Sequence, residues 1–392
     1  MSVSPRTLDI AAEAVAWRRH LHQTPELQFD LVETAGFVEE KLRRFGCDVI
    51  ETGIARTGII ALIQGRNGPG ATIGLRADMD ALPTQERSDK PHASRVAGRM
   101  HACGHDGHIA MLLGAAQYLA ETRDFAGAVA LIFQPAEEGG GGGKVMVDEG
   151  IMERFGITRV FAVHNIPGLA IGHFAIRPGP IMAGGSRFQI RVQGRGGHPA
   201  LPHETIDPIV LAAHLITAIQ TIASRSVDPV DTVAISVTKI HGGDAFNVIP
   251  ETVEIGGTVR ALQQQVDVLA ERRIREICAG LSAAYGATIE VDYTRIYPPT
   301  INDAGEAAFA AAAAVAVVGE GSVQRATSPL MASEDFSFML EARPGAFMFI
   351  GNGDSAGLHN PTYDFSDDAI PYGIAYFVAL AEAASEAPHA DD

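Results

Sequence analysis

The chain has 392 residues, with 47 acidic and 30 basic side chains and a formal net charge of −17 at pH 7. A hydrophobic share of 46% and a charged share of 20% are ordinary for a globular protein and exclude intrinsic disorder. Nucleic acids and anionic membranes attract clustered lysine and arginine. The chain is acidic and has no basic run of five or more residues, so neither is an expected partner.

The apolar stretches and the cysteines bear on the cellular compartment. The longest apolar stretches, at 307–318 and near Ala381, are shorter than the ~20 residues that span a membrane. The N-terminal segment contains no signal-peptide core. Three cysteines (Cys47, Cys103 and Cys278) form an odd, sparse set that favours a reducing compartment. We therefore expect a cytoplasmic protein without a membrane partner.

The first half of the chain alternates predicted helices and apolar strands. Its elements are a helix at 11–21 that Pro25 ends, strands at 57–63 and 71–75, a helix at 108–120, and strands at 128–133 and 159–163. Each strand is almost entirely apolar, which is typical of strands covered by helices on both faces. This half therefore predicts an α/β domain.

The pattern changes at 178–186, where proline and glycine predict a linker. The elements beyond it are a strand at 187–192, a helix at 207–223, strands at 233–240 and 253–260, and a helix at 266–284. This is the β-α-β-β-α-β order of a ferredoxin-like sandwich, which Tyr297 closes. Alanine-rich helices around one strand at 346–350 follow. The prediction is an α/β domain in two parts, 1–184 and 299–392, with a small domain inserted at 185–298.

The segment 100–108 (Met-His-Ala-Cys-Gly-His-Asp-Gly-His) has the composition of a metal site. Cys103 and His105 are spaced so that both side chains reach one ion from a tight turn. The alternative is a polar turn in which Asp106 and His108 cap the following helix.

More candidate ligands follow the other apolar strands. They are Asp78 and Asp80, Glu137 and Glu138, His164, and His359. In open α/β sheets, ligands bind beyond the carboxyl ends of the strands. Carboxylates and imidazoles gathered at that edge are costly unless a cation lies among them. The sequence therefore predicts a metal centre there.

The adjacent pair Glu137 and Glu138 suggests a hydrolase. Adjacent residues of an extended backbone point in opposite directions, so one carboxylate can bind metal while the other faces substrate and water. In a metallohydrolase the metal acidifies water and polarises a carbonyl, and a nearby Glu carries the proton to the leaving amine. The alternative is two solvated loop glutamates.

The glycine run at 139–143 either lets the backbone approach a ligand closely or forms a flexible loop. It ends at Lys144 and lacks the Ser or Thr and the first Gly of a phosphate-binding loop. A nucleotide-dependent enzyme is therefore disfavoured.

Three residues of the inserted domain are candidates for substrate binding. His198 and Asn247 lie in glycine-rich segments, where a turn is the commoner explanation. On a mobile lid, they would bind the oxyanion and the carboxylate of a substrate. Arg260, at the end of its strand, either pairs with a carboxylate or forms a surface salt bridge.

Together these motifs resemble the M20 metallopeptidase family. More narrowly, they resemble its amidohydrolase branch of hippurate hydrolases, N-acyl-amino-acid amidohydrolases and auxin-conjugate hydrolases. The motifs occur in family order along nearly the whole chain: Gly-Leu-Arg-Ala-Asp-Met-Asp-Ala-Leu-Pro at 74–83, the segment 100–108, Gln-Pro-Ala-Glu-Glu-Gly at 134–139, Val-His-Asn at 163–165 and Leu-His-Asn-Pro at 358–361.

The resemblance implies two divalent metal ions per chain, which are manganese, zinc, cobalt or nickel. The implied metal ligands are Cys103, His105, Glu138, His164 and His359. Glu137 is implied as general base and acid, Asp80 as the carboxylate that orients a ligand, His198 as the lid residue that stabilises the oxyanion, and Asn247 and Arg260 as substrate-binding residues.

The resemblance also implies an architecture. It is a di-metal exopeptidase-like catalytic domain whose mixed sheet is covered by helices on both faces. The inserted ferredoxin-like domain is implied as a lid and dimerisation domain in a homodimer or homotetramer. In several relatives the lid His comes from the partner subunit.

The expected function is hydrolysis of the amide bond of N-acyl-amino acids. A dipeptidase or an N-acetyl-diaminopimelate-type deacetylase shares the same catalytic residues and stays an alternative. A non-catalytic metal-dependent binding protein is the alternative from a different class. Glu137 separates the two classes, because a binding protein needs no second carboxylate beside the ligand Glu138.

Overall fold

The computed structural model of the chain describes residues 3–384, so the outermost ends of the predicted segments 1–184 and 299–392 lie outside the described part. Two compact units divide the described residues. Unit 1 comprises the residues up to Ile181, Ile301–Ser328, and the residues from Asp335 onward. Unit 2 comprises Met182–Thr300 and Pro329–Glu334.

Ten α-helices lie within residues 3–384. They are α1 (Pro5–Gln23), α2 (Val32–Phe45), α3 (His105–Thr122), α4 (Gly142–Asp148), α5 (Ile151–Arg154), α6 (Pro208–Arg225), α7 (Gln264–Tyr285), α8 (Ala304–Val318), α9 (Ser337–Ala342) and α10 (Ile370–Ala384).

Fourteen strands lie in the same range. They are β1 (Val49–Ile54), β2 (Gly58–Gln64), β3 (Thr72–Asp78), β4 (Ala128–Gln134), β5 (Ile157–Ile166), β6 (Phe174–Ala175), β7 (Gly179–Met182), β8 (Gly184–Gln193), β9 (Val233–His241), β10 (Thr252–Ala261), β11 (Thr288–Tyr297), β12 (Thr300–Asn302), β13 (Val323–Gln324) and β14 (Gly345–Gly351).

Unit 1 contains an eight-stranded mixed sheet in the order β1-β2-β4-β3-β5-β14-β6-β13. Its central strands β4, β3, β5 and β14 run parallel. Every residue of β4 is buried. Because successive side chains of a strand point to opposite faces, both faces of this sheet are covered. The predicted α/β fold class is confirmed.

The N-terminal helix is longer than predicted, because Ser4 caps it. The Ser4 hydroxyl accepts a hydrogen bond from the Thr7 amide, and Pro5 occupies the first helical turn. Ile10, Ala14 and Leu21 place the apolar face of α1 in the core of unit 1.

The sequence prediction missed α2 and β1. The N-terminus of α2 has no side-chain cap, and most of β1 is at least partly exposed. Strand β1 therefore lacks the continuous apolar signal of its neighbours. Helix α2 lacks an N-terminal cap, although Gly46 ends it with a left-handed φ and its buried residues Thr34, Val38 and Leu42 are spaced four apart.

Unit 2 contains a four-stranded antiparallel sheet in the order β11-β8-β10-β9, packed against α6 and α7. The element order along the chain is the predicted β-α-β-β-α-β. By length and composition alone α6 would suffice to cross a membrane, but its Leu211, Leu215, Ile219 and Ile222 lie in the core of this unit. About a third of this helix is buried, on the side that packs in the core of the unit.

The predicted linker at 178–186 is wrong in part. Gly179–Met182 is strand β7, and β8 already begins at Gly184. Gly185 is paired with Arg260 in the sheet, and a Cβ there would collide with the Arg260 guanidinium. Gly185 therefore lies within a sheet strand rather than in a turn.

The segment Pro329–Glu334 clusters with unit 2, although it follows unit 1 residues in the chain. The amide of Ala183 lies within hydrogen-bond distance of the carbonyl oxygens of Leu330 and Ala332, at 3.0 and 2.9 Å. These backbone contacts between distant segments have no local sequence signal.

Candidate metal and catalytic site

Most of the predicted site residues lie at one edge of the unit 1 sheet. Because β3, β4, β5 and β14 are parallel neighbours, their carboxyl ends meet there. The residues that follow or end these strands are Asp78, Asp80, Glu137, Glu138, His164 and His359. His164 lies within β5 rather than beyond it, because pairing with β14 extends the strand to Ile166.

Cys103 and His105 flank a turn that leads directly into α3. Gly104 is the N-cap residue, with a left-handed φ of 90°, and a Cβ there would collide with the side chain of Asn165. Helix α3 therefore begins at His105, three residues earlier than predicted. The alternative of a cap formed by the side chains of Asp106 and His108 is wrong, because no side chain caps this helix.

The five predicted metal ligands converge. One ligand atom each of Cys103, Glu138 and His359 lies within 4.8 Å of the others, and the same holds for His105, Glu137 and Glu138. Oε1 of Glu138 is 3.3 Å from Nε2 of His359 and 3.9 Å from Nε2 of His105. Sγ of Cys103 is 3.5 Å from Nε2 of His164.

The expectation of an extended backbone at Glu137 and Glu138 is wrong, because both residues lie in a turn after β4. Ala136 has a left-handed φ of 57°. The Asp80 carboxylate accepts the amide hydrogens of Glu137 and Glu138, at 2.9 and 3.1 Å. Asp80 thus fixes the turn, and both glutamate carboxylates approach His105.

Backbone carbonyls orient two of the histidines. Nδ1 of His105 is 2.7 Å from the carbonyl oxygen of Asp80, and Nδ1 of His164 is 2.7 Å from that of Asn165. Each Nδ1 therefore donates, which leaves Nε2 as the free ligand atom. Nε2 of His105 is buried and has no hydrogen-bond partner among residues 3–384.

The electrostatics of the site favour a bound cation. Burial raises the pKa of the Cys103 thiol well above its usual range, and the carboxylates of Glu138, Glu137 and Asp78 raise it further. Burial and the neighbouring His108 hold the pKa of His164 well below its usual range, so its imidazole is neutral. Metal ligands must be thiolate and neutral imidazole, and a divalent cation would supply the charge that favours the thiolate. The residues present therefore fit a two-metal site.

A second histidine cluster adjoins the first. Asp78, His105, His108 and His164 also bring ligand atoms within 4.8 Å of one another. The Asp78 carboxylate, however, already accepts from Arg76 at 2.7 Å and contacts Nδ1 of His108 at 2.6 Å. Nε2 of His108 lies 2.7 Å from Oδ1 of Asn165. Asp78 and His108 are therefore engaged in supporting bonds, a role that their positions in the motifs did not reveal.

Asp335 is a further buried residue near the turn of Glu137 and Glu138, and the sequence analysis gave it no role. Asp335 accepts from Arg76 at 3.0 Å, from Gln134 at 2.7 Å and from the amide of Gly143 at 2.8 Å. A Cβ on Gly143 would lie 2.8 Å from the Asp335 carbonyl oxygen. This part of the glycine run thus permits close packing of the backbone against Asp335.

Arg18 of α1 joins the two segments that carry His105 and His359. Its fully buried guanidinium donates to Asp106 at 2.7 Å and to Asp364 at 2.7 Å. Asp106 follows His105, and Asp364 lies in the same loop as His359. His22, one turn after Arg18, contacts Asp106 at 2.8 Å. Burial lowers the pKa of His22, but Asp106 and Glu86 outweigh burial and raise it to about 9. In the sequence, Arg18 lies at helical spacing from Ala14 and Leu21, which face the core, and this spacing could have predicted that Arg18 is buried.

The three predicted residues of unit 2 do not form one cluster within this unit. His198 and Asn247 are exposed, and their loops are joined by backbone hydrogen bonds between Gly197 and Ile249. Arg260 bonds to the hydroxyl of Ser333 near the opposite end of β10. At about 3.3 Å per residue, roughly 30 Å separates the two ends of this ten-residue strand.

Comparison with known proteins identifies relatives along the whole chain. Residues 74–383 match peptidase family M20/M25/M40. A hippurate hydrolase of Campylobacter jejuni is 41% identical, over 97% of this chain and 99% of its own length. An N-acetylcysteine deacetylase of Bacillus subtilis is 37% identical, over 93% of this chain and 94% of its own. The crystal structure of the Bacillus subtilis protein YXEP, described as a dinuclear metal-binding peptidase from the M20 family, superposes with a TM-score of 0.85. It is 33% identical and covers 97% of this chain and 99% of its own.

Proposed function

The chain belongs to peptidase family M20/M25/M40, and we propose that it is a metal-dependent amidohydrolase of N-acyl-amino acids. The observation that carries the proposal is the convergence of Glu137 with five ligand-type side chains at one sheet edge. A site that only stored metal would not need the additional carboxylate. The products are a carboxylic acid and a free amino acid.

We assign the metal ligands as Cys103, His105, Glu138, His164 and His359. When bound, divalent cations polarise a carbonyl and lower the pKa of water. Manganese, zinc, cobalt and nickel are the proposed ions, and the thiolate of Cys103 suits the softer members of that set. A reduced Cys103 is required, which supports the proposal of a cytoplasmic protein. Cell fractionation tests that location.

In this mechanism Glu137 moves the proton. Its carboxylate takes a proton from the attacking water and later gives it to the nitrogen of the leaving amino acid. The hydroxyl of the water remains on the acyl carbon, so the amide becomes an acid and an amine. Asp80 holds the Glu137 turn through the two amide hydrogen bonds and so positions the base.

We propose that the protein is a homodimer in which His198 and Asn247 complete the site of the partner subunit. The separation of these residues from Arg260 along β10 supports a division of substrate binding between two chains. Arg260 then binds the substrate carboxylate. Glu137→Gln and His198→Ala chains that are unfolded and refolded together in equal amounts should recover about a quarter of the activity, because half of the dimers are mixed and each mixed dimer contains one complete site of two. Mixtures that stay inactive contradict the shared site.

The function is tested by metal removal and replacement. Chelator-treated protein should be inactive, and Mn²⁺, Zn²⁺, Co²⁺ or Ni²⁺ should restore amino-acid release from at least one acyl-amino acid. The panel is hippurate, N-acetyl-amino acids, indole-acetyl-amino acids and dipeptides. Cleavage of dipeptides alone would favour a dipeptidase. Rebinding of two metals per chain without any cleavage would favour the non-catalytic binding protein.

A further inference from the structure

A cleft of about 470 Å³ opens in unit 1 beside Glu138. Its apolar wall is formed by Leu27, Phe29, Ala81 and Pro83, and two arginines, Arg56 and Arg99, also line it. This volume lies within the 300–1,000 Å³ typical of small-molecule sites. No role has been assigned above to any of these six residues.

The wall of the cleft is held in a strained backbone conformation. Gln28 and Arg56 line the cleft with left-handed φ angles of 53° and 75°, which non-glycine residues rarely adopt. The Thr57 hydroxyl donates to the Phe29 carbonyl oxygen at 2.9 Å and fixes the two segments together. Strain of this kind persists where the surroundings over-determine it, and it concentrates at ligand sites.

The Phe29 ring belongs to the cleft wall and also lies beside the turn that carries Glu137 and Glu138. A Cβ placed on Gly140 would lie 3.0 Å from the Phe29 ring and 2.6 Å from Cβ of Ala136. The glycine therefore lets the ring pack against the turn that carries Glu137 and Glu138. A ligand group that contacts Phe29 lies close to the proposed reacting centre.

The charges of the cleft leave one cation without a partner. The Arg56 guanidinium lies 3.8 Å from the Asp30 carboxylate and 5.9 Å from the centroid of the Phe29 ring. Glu138 is assigned to metal. Arg99 has no side-chain hydrogen bond or ion pair within residues 3–384. The cleft thus offers an aromatic wall and a solvent-exposed guanidinium that has no partner among the described residues.

We infer that this cleft receives the acyl group of the substrate and selects an aromatic acyl group with an anionic or hydrogen-bond-accepting substituent. The inference rests on the function proposed above and names its substrate class. The Phe29 ring stacks on the aromatic group, and Arg99, which lines the same cleft, donates to the substituent. An acetyl group would leave most of the cleft unfilled. The amino-acid carboxylate is assigned to Arg260, which leaves Arg99 for the acyl group.

The test compares three glycine conjugates in the metal-loaded enzyme: N-acetylglycine, benzoylglycine and 4-carboxybenzoylglycine. Wild type should prefer them in rising order of kcat/KM. Arg99→Met should lower the preference for 4-carboxybenzoyl over benzoyl about 10-fold and leave kcat/KM for N-acetylglycine unchanged. Phe29→Leu should lower the preference for benzoyl over acetyl about threefold to tenfold.

Arg95→Met is the matched control, because Arg95 is an exposed arginine of the same loop that does not line the cleft. It should leave all three values unchanged. An equal loss for all three substrates in Arg99→Met would overturn the inference, because Arg99 would then bind the common glycine carboxylate. That result leaves the proposed hydrolase function standing. If wild type cleaves other acyl-amino acids of the wider panel but none of these three, the inference is wrong and the proposed function stands. If it cleaves no substrate of either panel, both are wrong.

Discussion

Glu137→Gln is expected to lower kcat by about 10²- to 10⁴-fold while both metal ions stay bound. Glutamine has nearly the shape of glutamate but cannot take a proton from water. The amide of residue 137, which bonds to Asp80, is unchanged by the substitution. Turnover of an acyl-amino acid and metal content per chain by mass spectrometry are the two measurements.

Glu138→Gln is the matched control for this variant. Its carboxylate lies among His359, His105 and Cys103, so its loss should reduce the bound metal as well as turnover. The pair of variants thereby separates the proton carrier from the ligand. Normal turnover in Glu137→Gln would falsify the proposed mechanism.

Arg18→Met should lower the free energy of unfolding by about 3–5 kcal/mol. The substitution keeps the apolar stem but removes the only buried cation bonded to both Asp106 and Asp364 in the described structure. Of its two cationic partners, the fully buried Asp106 would keep His22 and lose Arg18, the larger contributor to its lowered pKa. The partly exposed Asp364 would keep Lys90 and His92. Urea unfolding of the apoprotein measures the loss without a contribution from metal binding.

Arg6→Met, on the same helix, is the control for Arg18→Met. Arg6 pairs with Glu121 on the surface, where ion pairs contribute up to about 1 kcal/mol. If the two variants lose equal stability, the buried network has no special role. A weaker metal affinity in Arg18→Met but not in Arg6→Met would further indicate that Arg18 positions the segments of His105 and His359.

The resemblance to the M20 family, confirmed by the comparisons, and the α/β fold class were both available from the sequence. Strands such as β4 and β14 can be recognised in the sequence as continuous apolar runs, because strands covered on both faces are apolar throughout. The residue types of the metal site are equally local. Cys103 and His105 are separated only by Gly104, and Glu137 and Glu138 are adjacent.

The tertiary structure is needed to show how these local motifs come together in space and which hydrogen bonds and ion pairs hold them there. The parallel order β4-β3-β5-β14 brings Glu138 and His359 within 3.3 Å, although they are far apart in the chain. The turn at Glu137 follows from hydrogen bonds to Asp80, and Arg18 bonds to Asp364 at the other end of the sequence. Local composition reports burial and backbone preference, but a buried charge depends on a partner that only the folded chain supplies.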